Sequence, residues 1–284
     1  MLHFALSLPN FGDFADPDHY LDLARRAEAA GWEGFFLWDH IRAGDWAGPV
    51  IDPWVALGAL AQVTERIRLG TMITPLPRRR PTTLARQTVT LDHFSRGRVV
   101  LGVGIGWPPD LDFADLGDSG DDRVRAAQLD EGLEVLTGLW SGEPFSHQGE
   151  HYRVTDTCFV PQPLQQPRIP IWVGSTWPHR RPFRRAARWD GVVPLVADPA
   201  GDFRSPTPAE LREIVAYTME HRSSAAPFEV ALGESLSGFE APAAEVLGPY
   251  AEAGATWWLE GIGWPLRDYE FWPEYVSAGP PVMR

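Results

Sequence analysis

The sequence predicts an α/β fold, a TIM (β/α)8 barrel with insertions at its C-terminal rim, formed by one domain over residues 1–284. Three observations lead to this prediction. Short apolar strands alternate with amphipathic helices about eight times along the chain. The 284 residues are close to the roughly 250 that one such barrel requires. Strand-to-helix connections are long and helix-to-strand connections are short, which places a functional site at the C-terminal strand ends. A doubly wound open sheet is the alternative.

The elements of the first half follow from apolar alternation in the strands and from proline at the helix starts. Strands are predicted at residues 2–8, 33–38 and 67–73, and a fourth begins at Arg96. Helices are predicted to begin at Pro17, Pro53 and Pro81. Asp16 and Asp52 precede the first two prolines as N-caps, and Gly31 is predicted to end the first helix.

The fourth strand runs into glycine at every second position, at Gly102, Gly104 and Gly106. Because alternate residues of a strand point to opposite faces, one face at its end is predicted to be bare backbone, while Ile105 points the other way. Trp107 stands where a dinucleotide fingerprint would need glycine. A bare face can admit a flat ring, or it can make room for bulky residues of neighbouring strands. We favour a floor for a ligand.

The second half begins with an acidic loop and a helix whose apolar face includes Leu129 and Leu136. Residues 143–168 are predicted to be an excursion with a hairpin that turns at Gln148 and Gly149. Further strands are predicted at 169–173, 191–196, 229–232 and 256–261, and further helices near 183–188, from 208 onward and at 242–253. A terminal helix and a proline-rich tail are predicted to follow.

Composition excludes several classes of function. The formal net charge of -13 argues against a nucleic-acid groove or an anionic membrane surface. No apolar run is long enough to cross a membrane, and the first residues are typical of a strand rather than a signal peptide. All 25 basic residues are arginine, which excludes a Schiff-base or P-loop lysine. Cys158 is the one cysteine, so no internal disulfide forms, and we expect a cytoplasmic protein.

Two groups of polar residues follow predicted strands. Asp39 and His40 end the second strand, where a histidine can act as acid, base or hydrogen-bond donor. A structural histidine bonded to a loop carbonyl is the alternative. Gly174, Ser175 and Thr176 precede a helix start, which suits a phosphate or an ordinary helix cap.

Other candidates lie near the same rim. Arg78, Arg79 and Arg80 form a run that is either solvated surface or an anion site. Tryptophans that could stack on a planar ligand or belong to the core fall near predicted strand ends, at Trp38, Trp107, Trp177 and Trp264. The chain contains no HxH, HExxH or paired CxxC motif, so a metal centre is not predicted.

The chain resembles the luciferase-like flavin monooxygenase family, which includes oxidoreductases that use the deazaflavin coenzyme F-420. The segments that carry the resemblance are AEAAGWEGFFLWDH, TERIRLGTMITPLPRRRPTTLARQTVTLDHFSRGRVVLGVGIGW, RAAQLDEGLEVLTGLWSGEPFSHQGEHY and PRIPIWVGS. They run in order over most of residues 1–195, and the RLGT…GVGIGW block is quite specific. Beyond residue 195 the match is looser, and no site residue is carried over from there.

The resemblance implies a flavin-type cofactor at the C-terminal mouth of the barrel, a small-molecule substrate and a homodimer. It places His40 near the reactive face of the cofactor as the catalytic residue. In deazaflavin-using relatives a non-proline cis peptide supports the ring at the end of the third strand, and the matching pair is Met72 and Ile73. The family's Gly-Gly phosphate turn corresponds to Gly174 and Ser175, which departs from that pattern. The remaining cofactor contacts are predicted at Asp39, Gly104, Ile105, Gly106, Trp107 and Thr176.

These observations predict a flavin- or deazaflavin-dependent oxidoreductase that transfers hydride to or from a small organic substrate, or oxygenates it. The alternatives are a cofactor-independent isomerase or hydrolase that uses Asp39, His40 and Glu260, and a barrel that binds flavin without turnover. Coenzyme F-420 is the preferred cofactor, with its polyglutamate tail on Arg78 to Arg80. FMN is the alternative, with its phosphate at residues 174–176.

Overall fold

Eight parallel strands close into a barrel in the computed structural model, which describes residues 2–198, 202–236, 239, 241–261 and 268–282. The barrel strands are β1 His3–Leu8, β2 Gly34–Leu37, β3 Arg68–Pro75, β4 Val99–Gly104, β7 Ile171–Trp177, β8 Gly191–Ala197, β10 Glu229–Gly233 and β11 Trp257–Glu260. They lie in this order around the barrel, and β11 pairs with β1 to close it. The predicted TIM barrel is therefore confirmed, and the open sheet is excluded.

Helices cover the outside of the barrel. They are α1 Pro17–Ala30, α2 Pro53–Val63, α3 Pro81–Phe94, α4 Asp122–Trp140, α5 Arg180–Ala186, α6 Pro208–Glu220, α7 Ala243–Glu252 and α8 Trp272–Ser277. The predicted caps are present, because Asp16 and Asp52 accept backbone N–H groups at the starts of α1 and α2. Gly31 ends α1 with a φ of 92°, a conformation that glycine adopts without strain.

Among the described residues, three strands lie outside the parallel barrel. The predicted hairpin is formed by β5 Phe145–Gln148 and β6 Arg153–Thr157, which pair antiparallel in a separate sheet. The short strand β9 Phe203–Arg204 pairs antiparallel with the end of β8 and was not predicted. Among the described residues, no helix combines the length and the apolar character needed to span a bilayer. Trp264 lies outside the described residues.

The middle of the barrel is filled by an aromatic plug of Phe36, Trp172 and Trp257. The ring centroids of Phe36 and Trp172 are 5.8 Å apart, and those of Trp172 and Trp257 are 5.4 Å apart. All three residues are at least 95% buried. His3 stacks beneath Trp257 at 4.8 Å, on the N-terminal side. The plug separates this side from the mouth, where the strands end.

Candidate functional site

Ile73 forms a partly buried aliphatic surface at the end of β3. The Met72–Ile73 peptide bond is cis, as the family resemblance predicted. The pairing register between β3 and β4 shifts across this bond, between Thr71 and Thr74. A Cβ placed on Gly104 would lie 2.0 Å from Cδ1 of Ile73, and one placed on Gly174 would lie 2.7 Å from it.

The interpretation of the glycine face as a bare floor for a ligand is therefore wrong. The side chain of Ile73 occupies the space beside Gly104 and Gly174, and Phe113 occupies the space beside Gly106, where a Cβ would meet its ring at 2.4 Å. The structure shows the alternative, in which the glycines make room for neighbouring bulky residues. A flat ring at the mouth would therefore meet Ile73 rather than bare backbone.

The two residues on either side of Gly106 differ in their surroundings. Ile105 packs against the core between barrel and helices, away from the barrel interior. Trp107 is 57% exposed on the rim, and its ring meets that of Phe203 edge-on with centroids 6.0 Å apart. Of these two predicted cofactor contacts, only Trp107 presents its side chain at the mouth.

His40 stands at the mouth with its imidazole held by a buried carboxylate. Its Nδ1 lies 2.8 Å from Oδ2 of Asp112. The Asp112 side chain is fully buried, whereas 19% of the His40 side chain remains exposed. A carboxylate at Nδ1 keeps the proton on that nitrogen and leaves Nε2 as the group available to a ligand. The arrangement can therefore accept or donate a proton at the mouth.

Asp112 is a strong acceptor because several donors converge on it. The backbone N–H groups of Arg42 and Ala43 donate to its Oδ1 at 2.9 and 3.1 Å, and Nη1 of Arg78 donates to its Oδ2 at 2.9 Å. Burial raises the pKa of Asp112, but the hydrogen bonds from His40 and the backbone outweigh burial and lower that pKa well below its ordinary value. The carboxylate therefore stays ionised beside His40 at neutral pH.

Asn10 fixes the backbone of His40. The Asn10 side chain accepts from the N–H of His40 at 3.1 Å and donates to its carbonyl at 2.8 Å. It also donates to the carbonyl of Ile51 at 2.7 Å, and Asn10 is fully buried. The loops after β1 and β2 are thereby tied together beneath the imidazole.

Arg78 and Arg79 are committed to buried carboxylates. Arg79 binds both carboxylate oxygens of Asp39, at 2.9 and 2.7 Å. Arg78 binds Asp39 and Asp112, and its side chain is only 1% exposed. The expectation that these two arginines hold the tail of a cofactor is wrong, since their charges are already neutralised inside the protein. The Asp39 carboxylate, which also accepts from Thr74 at 2.8 Å, is likewise turned away from the mouth.

The loop that carries Asp112 is fastened through Phe113. The Arg125 guanidinium lies 4.3 Å from the centroid of the Phe113 ring and that of Arg78 lies 5.6 Å from it. Arg125 also donates to the carbonyls of Ile105 and Gly106, at 3.3 and 3.1 Å. The end of β4 and the start of α4 therefore hold the loop in place.

The end of β7 differs from the prediction. The strand does not end at residue 173 but continues to Trp177, because its pairing with β8 extends to Trp177 and Val196. Ser175 is 96% buried and points to the helix side, while Gly174 and Thr176 alternate with it and face the barrel. The predicted phosphate turn before a helix is therefore a strand, and α5 begins only at Arg180.

Two arginines without a carboxylate partner among the described residues follow this strand. The Arg180 guanidinium lies 3.8 Å from the centroid of the Trp177 ring and 4.5 Å from that of Tyr217. Arg180 and Arg181 are exposed, and no carboxylate in the described part of the chain pairs with either. These two arginines can bind an anion, which Arg78 and Arg79 cannot.

Glu260 does not belong to the mouth. Its carboxylate accepts from the backbone N–H of Leu236 and from Nε1 of Trp258, on the helix side of β11. Burial raises its pKa, against the hydrogen bonds that lower it. The isomerase or hydrolase built on Asp39, His40 and Glu260 lacks two of its three groups, so the structure disfavours this alternative.

A cavity of about 740 Å³ lies at the other end of the barrel, below the plug. Trp172, Trp257 and Arg68 are among the residues that line it. In barrels of this type the N-terminal end contributes to stability, whereas chemistry occurs at the C-terminal end. We therefore place the functional site at the mouth, with His40. Across the described residues, no group of three or more potential ligands is arranged to hold a metal ion.

Residues 4–214 match the family described as luciferase-like monooxygenase. One similar protein is an F420-dependent glucose-6-phosphate dehydrogenase from Nakamurella multipartita, 34% identical over 167 residues, which are 57% of this chain and 48% of that protein. The chain spans about half the length of the curated relatives it matches.

Solved structures with the same fold include the following two. An F420-dependent secondary alcohol dehydrogenase in complex with an F420-acetone adduct has a TM-score of 0.78. Its sequence is 18% identical, and the alignment covers 100% of this chain and 99% of that one. The oxygenating constituent of 3,6-diketocamphane monooxygenase from Pseudomonas putida, in complex with FMN, has a TM-score of 0.68 with 18% identity over 82% of this chain and 67% of that one.

Proposed function

This chain belongs to the luciferase-like monooxygenase family, and we propose that it is an oxidoreductase that acts on a small organic substrate with a deazaflavin or flavin at the barrel mouth. The observation that carries the proposal is the His40–Asp112 pair. It holds an imidazole that follows β2, is partly exposed and keeps Nε2 available to a ligand. Proton exchange at that nitrogen is the contribution that a redox reaction of an alcohol or carbonyl group needs from the protein.

The residues at the mouth fit a tricyclic ring. Ile73 offers an aliphatic surface, and the glycines beneath it fix its position. Ser7 lies on the inner face of β1, and its hydroxyl is buried with no hydrogen-bond partner among the described residues. The indole N–H of Trp38 is also buried, and it too has no hydrogen-bond partner among the described residues. Such groups suit the polar edge of a flavin-type ring, which carries donors and acceptors.

His40 would bind the reacting oxygen of the substrate and hold or release its proton at Nε2. Asp112 would keep Nδ1 protonated, and Asn10 would keep the backbone in position. When bound, the cofactor supplies the hydride chemistry, which no side chain of this protein can provide. Met72 would complete the surroundings of the ring and Trp107 would stand on the rim above it, whereas Gly104 would act only through Ile73, whose side chain covers it.

Coenzyme F-420 remains our preferred cofactor, with FMN as the alternative. Arg180 and Arg181 support this preference, because a deazaflavin with a polyglutamate tail presents more negative charge than a single phosphate does. We propose that these two arginines, together with Thr176, take the place of Arg78 and Arg79 in binding the anionic part of the cofactor.

The test is a titration of the purified protein with each cofactor, followed by visible absorbance at two salt concentrations. We expect deazaflavin to bind more tightly than FMN and to weaken steeply as salt rises. Combined Arg180→Ala and Arg181→Ala substitutions should weaken deazaflavin by at least about 10-fold. Arg25→Ala, an exposed arginine on α1, is the matched control. Binding of neither ring would refute the proposal, and tight FMN binding without deazaflavin binding would reverse the cofactor preference.

Two further expectations remain proposals. We propose a homodimer, which light scattering of the eluted protein would measure. We also propose a cytoplasmic protein, and fractionation of the producing cells would test that location. A barrel that binds the ring without turnover would show the spectral change but no reduction of the ring by any alcohol.

A further inference from the structure

An apolar wall stands beside His40 on the rim. The rings of Phe11 and His40 have centroids 5.8 Å apart, and those of Trp38 and His40 are 6.2 Å apart. Trp46 packs edge-on against Phe11 at 5.3 Å and is 59% exposed. Ile41, the neighbour of His40, is 50% exposed. Large exposed apolar side chains grouped around a reactive group are typical of a ligand surface.

A second apolar wall lies on the loop after β4 and on β9. Trp107 is 57% exposed and Phe203 is 44% exposed, and the two rings contact each other edge-on. The same loop carries Asp112, the partner of His40, and the backbone N–H of Asp112 donates to the carbonyl of Pro108 at 3.2 Å. Trp46 of the first wall therefore lies on the loop that carries His40, and Trp107 of the second wall lies on the loop that carries Asp112.

The cations near His40 are unavailable to an anionic substrate. Four arginines contact the loops of His40 and Asp112, and each pairs with a carboxylate: Arg42 with Asp45 and Asp115, Arg78 with Asp39 and Asp112, Arg79 with Asp39 and Asp52, and Arg125 with Asp122. Arg80 is exposed and has no carboxylate partner among the described residues, but it lines a separate pocket with His151 and Tyr152. The uncommitted Arg180 and Arg181 follow β7, where the proposed function assigns them to the cofactor.

The loop beside the mouth is strongly acidic. Residues 107–121 contain five aspartates and no basic residue. Asp110 and Asp118 are exposed, and neither has an ion-pair partner in the described parts of the chain. A phosphate or carboxylate near His40 would therefore meet repulsion without a compensating cation.

We infer that the substrate is an uncharged, apolar alcohol or carbonyl compound that binds between the two aromatic walls, and not a sugar phosphate. The inference rests on the proposed function, because it names the substrate class of the same site. It separates this chain from the glucose-6-phosphate dehydrogenase among its relatives, whose substrate carries a phosphate.

Calorimetric titration of the cofactor-loaded protein with two matched probes tests the inference. The probes are 2-naphthol, which is uncharged, and 2-naphthyl phosphate, which adds a dianion to the same ring system. We expect 2-naphthol to bind at least about 10-fold more tightly at low salt. Substituting both Asp110→Asn and Asp118→Asn should narrow this difference by improving binding of the phosphate.

Two variants, Trp46→Ala and Trp107→Ala, test whether the ring of 2-naphthol binds between the two walls. Each should weaken 2-naphthol by about 3- to 10-fold, as expected for the loss of one aromatic contact. Phe94→Ala is the matched control, because Phe94 is 58% exposed at the opposite end of the barrel. Equal or tighter binding of the phosphate probe, no saturable binding of 2-naphthol, or full binding in both tryptophan variants would overturn the inference.

The cofactor titration is read separately, so the two proposals can fail independently. Spectral binding of the cofactor together with preference for 2-naphthyl phosphate would overturn the substrate class and leave the oxidoreductase intact. Binding of 2-naphthol to the protein without any cofactor binding would overturn the proposed function instead.

Discussion

Replacing Asp112 with asparagine tests the central hydrogen-bond network with almost no change in shape. Oδ1 of the new side chain can still accept the N–H groups of Arg42 and Ala43. An NH₂ group replaces Oδ2, however, and faces Nδ1 of His40 and Nη1 of Arg78. The new NH₂ group and Nη1 of Arg78 are then two donors that point at each other. Nδ1 of His40 can accept a hydrogen bond from the NH₂ group only if it loses its own proton.

The expected loss of stability follows from the burial of this network. The side chains of Asp112 and Arg78 are 0% and 1% exposed, and removing one partner of a buried ion pair costs about 3–5 kcal/mol. Arg78 keeps its contact with Asp39, so we expect the lower end, about 3 kcal/mol. For a protein of this size that corresponds to a melting temperature lower by about 6 °C or more.

The assay combines thermal unfolding with nitrogen NMR of the histidine ring. Wild-type protein should carry the proton of His40 on Nδ1, and Asp112→Asn should carry it on Nε2. Turnover, once a substrate is known, should fall by about 10²-fold or more. Asp115→Asn, in the same loop but half exposed, is the control and should change neither reading. An unchanged tautomer or an unchanged melting temperature in Asp112→Asn would refute the reasoning.

The acid sensitivity of wild-type protein follows from the lowered pKa of Asp112. A carboxylate whose pKa is lower in the folded state stabilises the fold above its unfolded pKa of about 4 and loses that contribution as the pH falls further. The melting temperature of wild-type protein should therefore fall more steeply below pH 4 than that of Asp112→Asn. Parallel curves would contradict this assignment.

Three further predictions concern single sites. His40→Ala should leave folding and cofactor binding largely intact and lower turnover by about 10²-fold, and unchanged turnover would remove His40 from the chemistry. Gly104→Ala should lower the free energy of unfolding by about 1–3 kcal/mol because its Cβ meets Ile73. Adding Ile73→Ala to this variant should restore part of the lost stability, since it removes the side chain that the Cβ meets. If Gly104→Ala costs the same free energy with and without Ile73→Ala, that contact is not the cause. The hydrogen bond from Arg204 lowers the pKa of Glu210 to about 2. Glu210→Gln should therefore destabilise the protein by about 1 kcal/mol or less at pH 6, and by a small part of that at pH 2, where half of the folded-state carboxylate is protonated; thermal unfolding at the two pH values would show the difference.

The fold could be predicted because its determinants are local. Asp16, Pro17 and Gly31 specify the bounds of α1 within one stretch of chain, and alternation specifies the strands. The end of β7 could not be predicted in the same way. Residues 174–176 are small and polar, and only the partner strand β8 decides that they continue the sheet. Local sequence carries no information about that partner.

The site could be predicted in part for a related reason. His40 follows the end of β2 and the Met72–Ile73 pair lies near the end of β3, so the barrel rule locates them at the mouth. Asp112 lies 72 residues from His40 in a loop with five aspartates, and nothing periodic distinguishes it from the other four. Arg78 and Arg79 bind negative charge, but that charge belongs to the protein's own Asp39 and not to the tail of a cofactor, as their position on the rim had suggested.

The aromatic plug also limits how deep a ligand can reach. In the register of β1, Trp257 pairs with His3 and Phe36 pairs with Ser7, so the plug is centred at Ala5, three residues before the strand ends at Leu8. At a rise of about 3.3 Å per residue and a tilt of about 36°, the basin above the plug is roughly 8 Å deep. A molecule longer than that must project outward past the rim, where it meets Trp46 and Trp107 rather than the barrel wall. Substitutions on the rim would therefore change the length of substrate that is accepted, while a smaller side chain at Trp257 would deepen the basin itself.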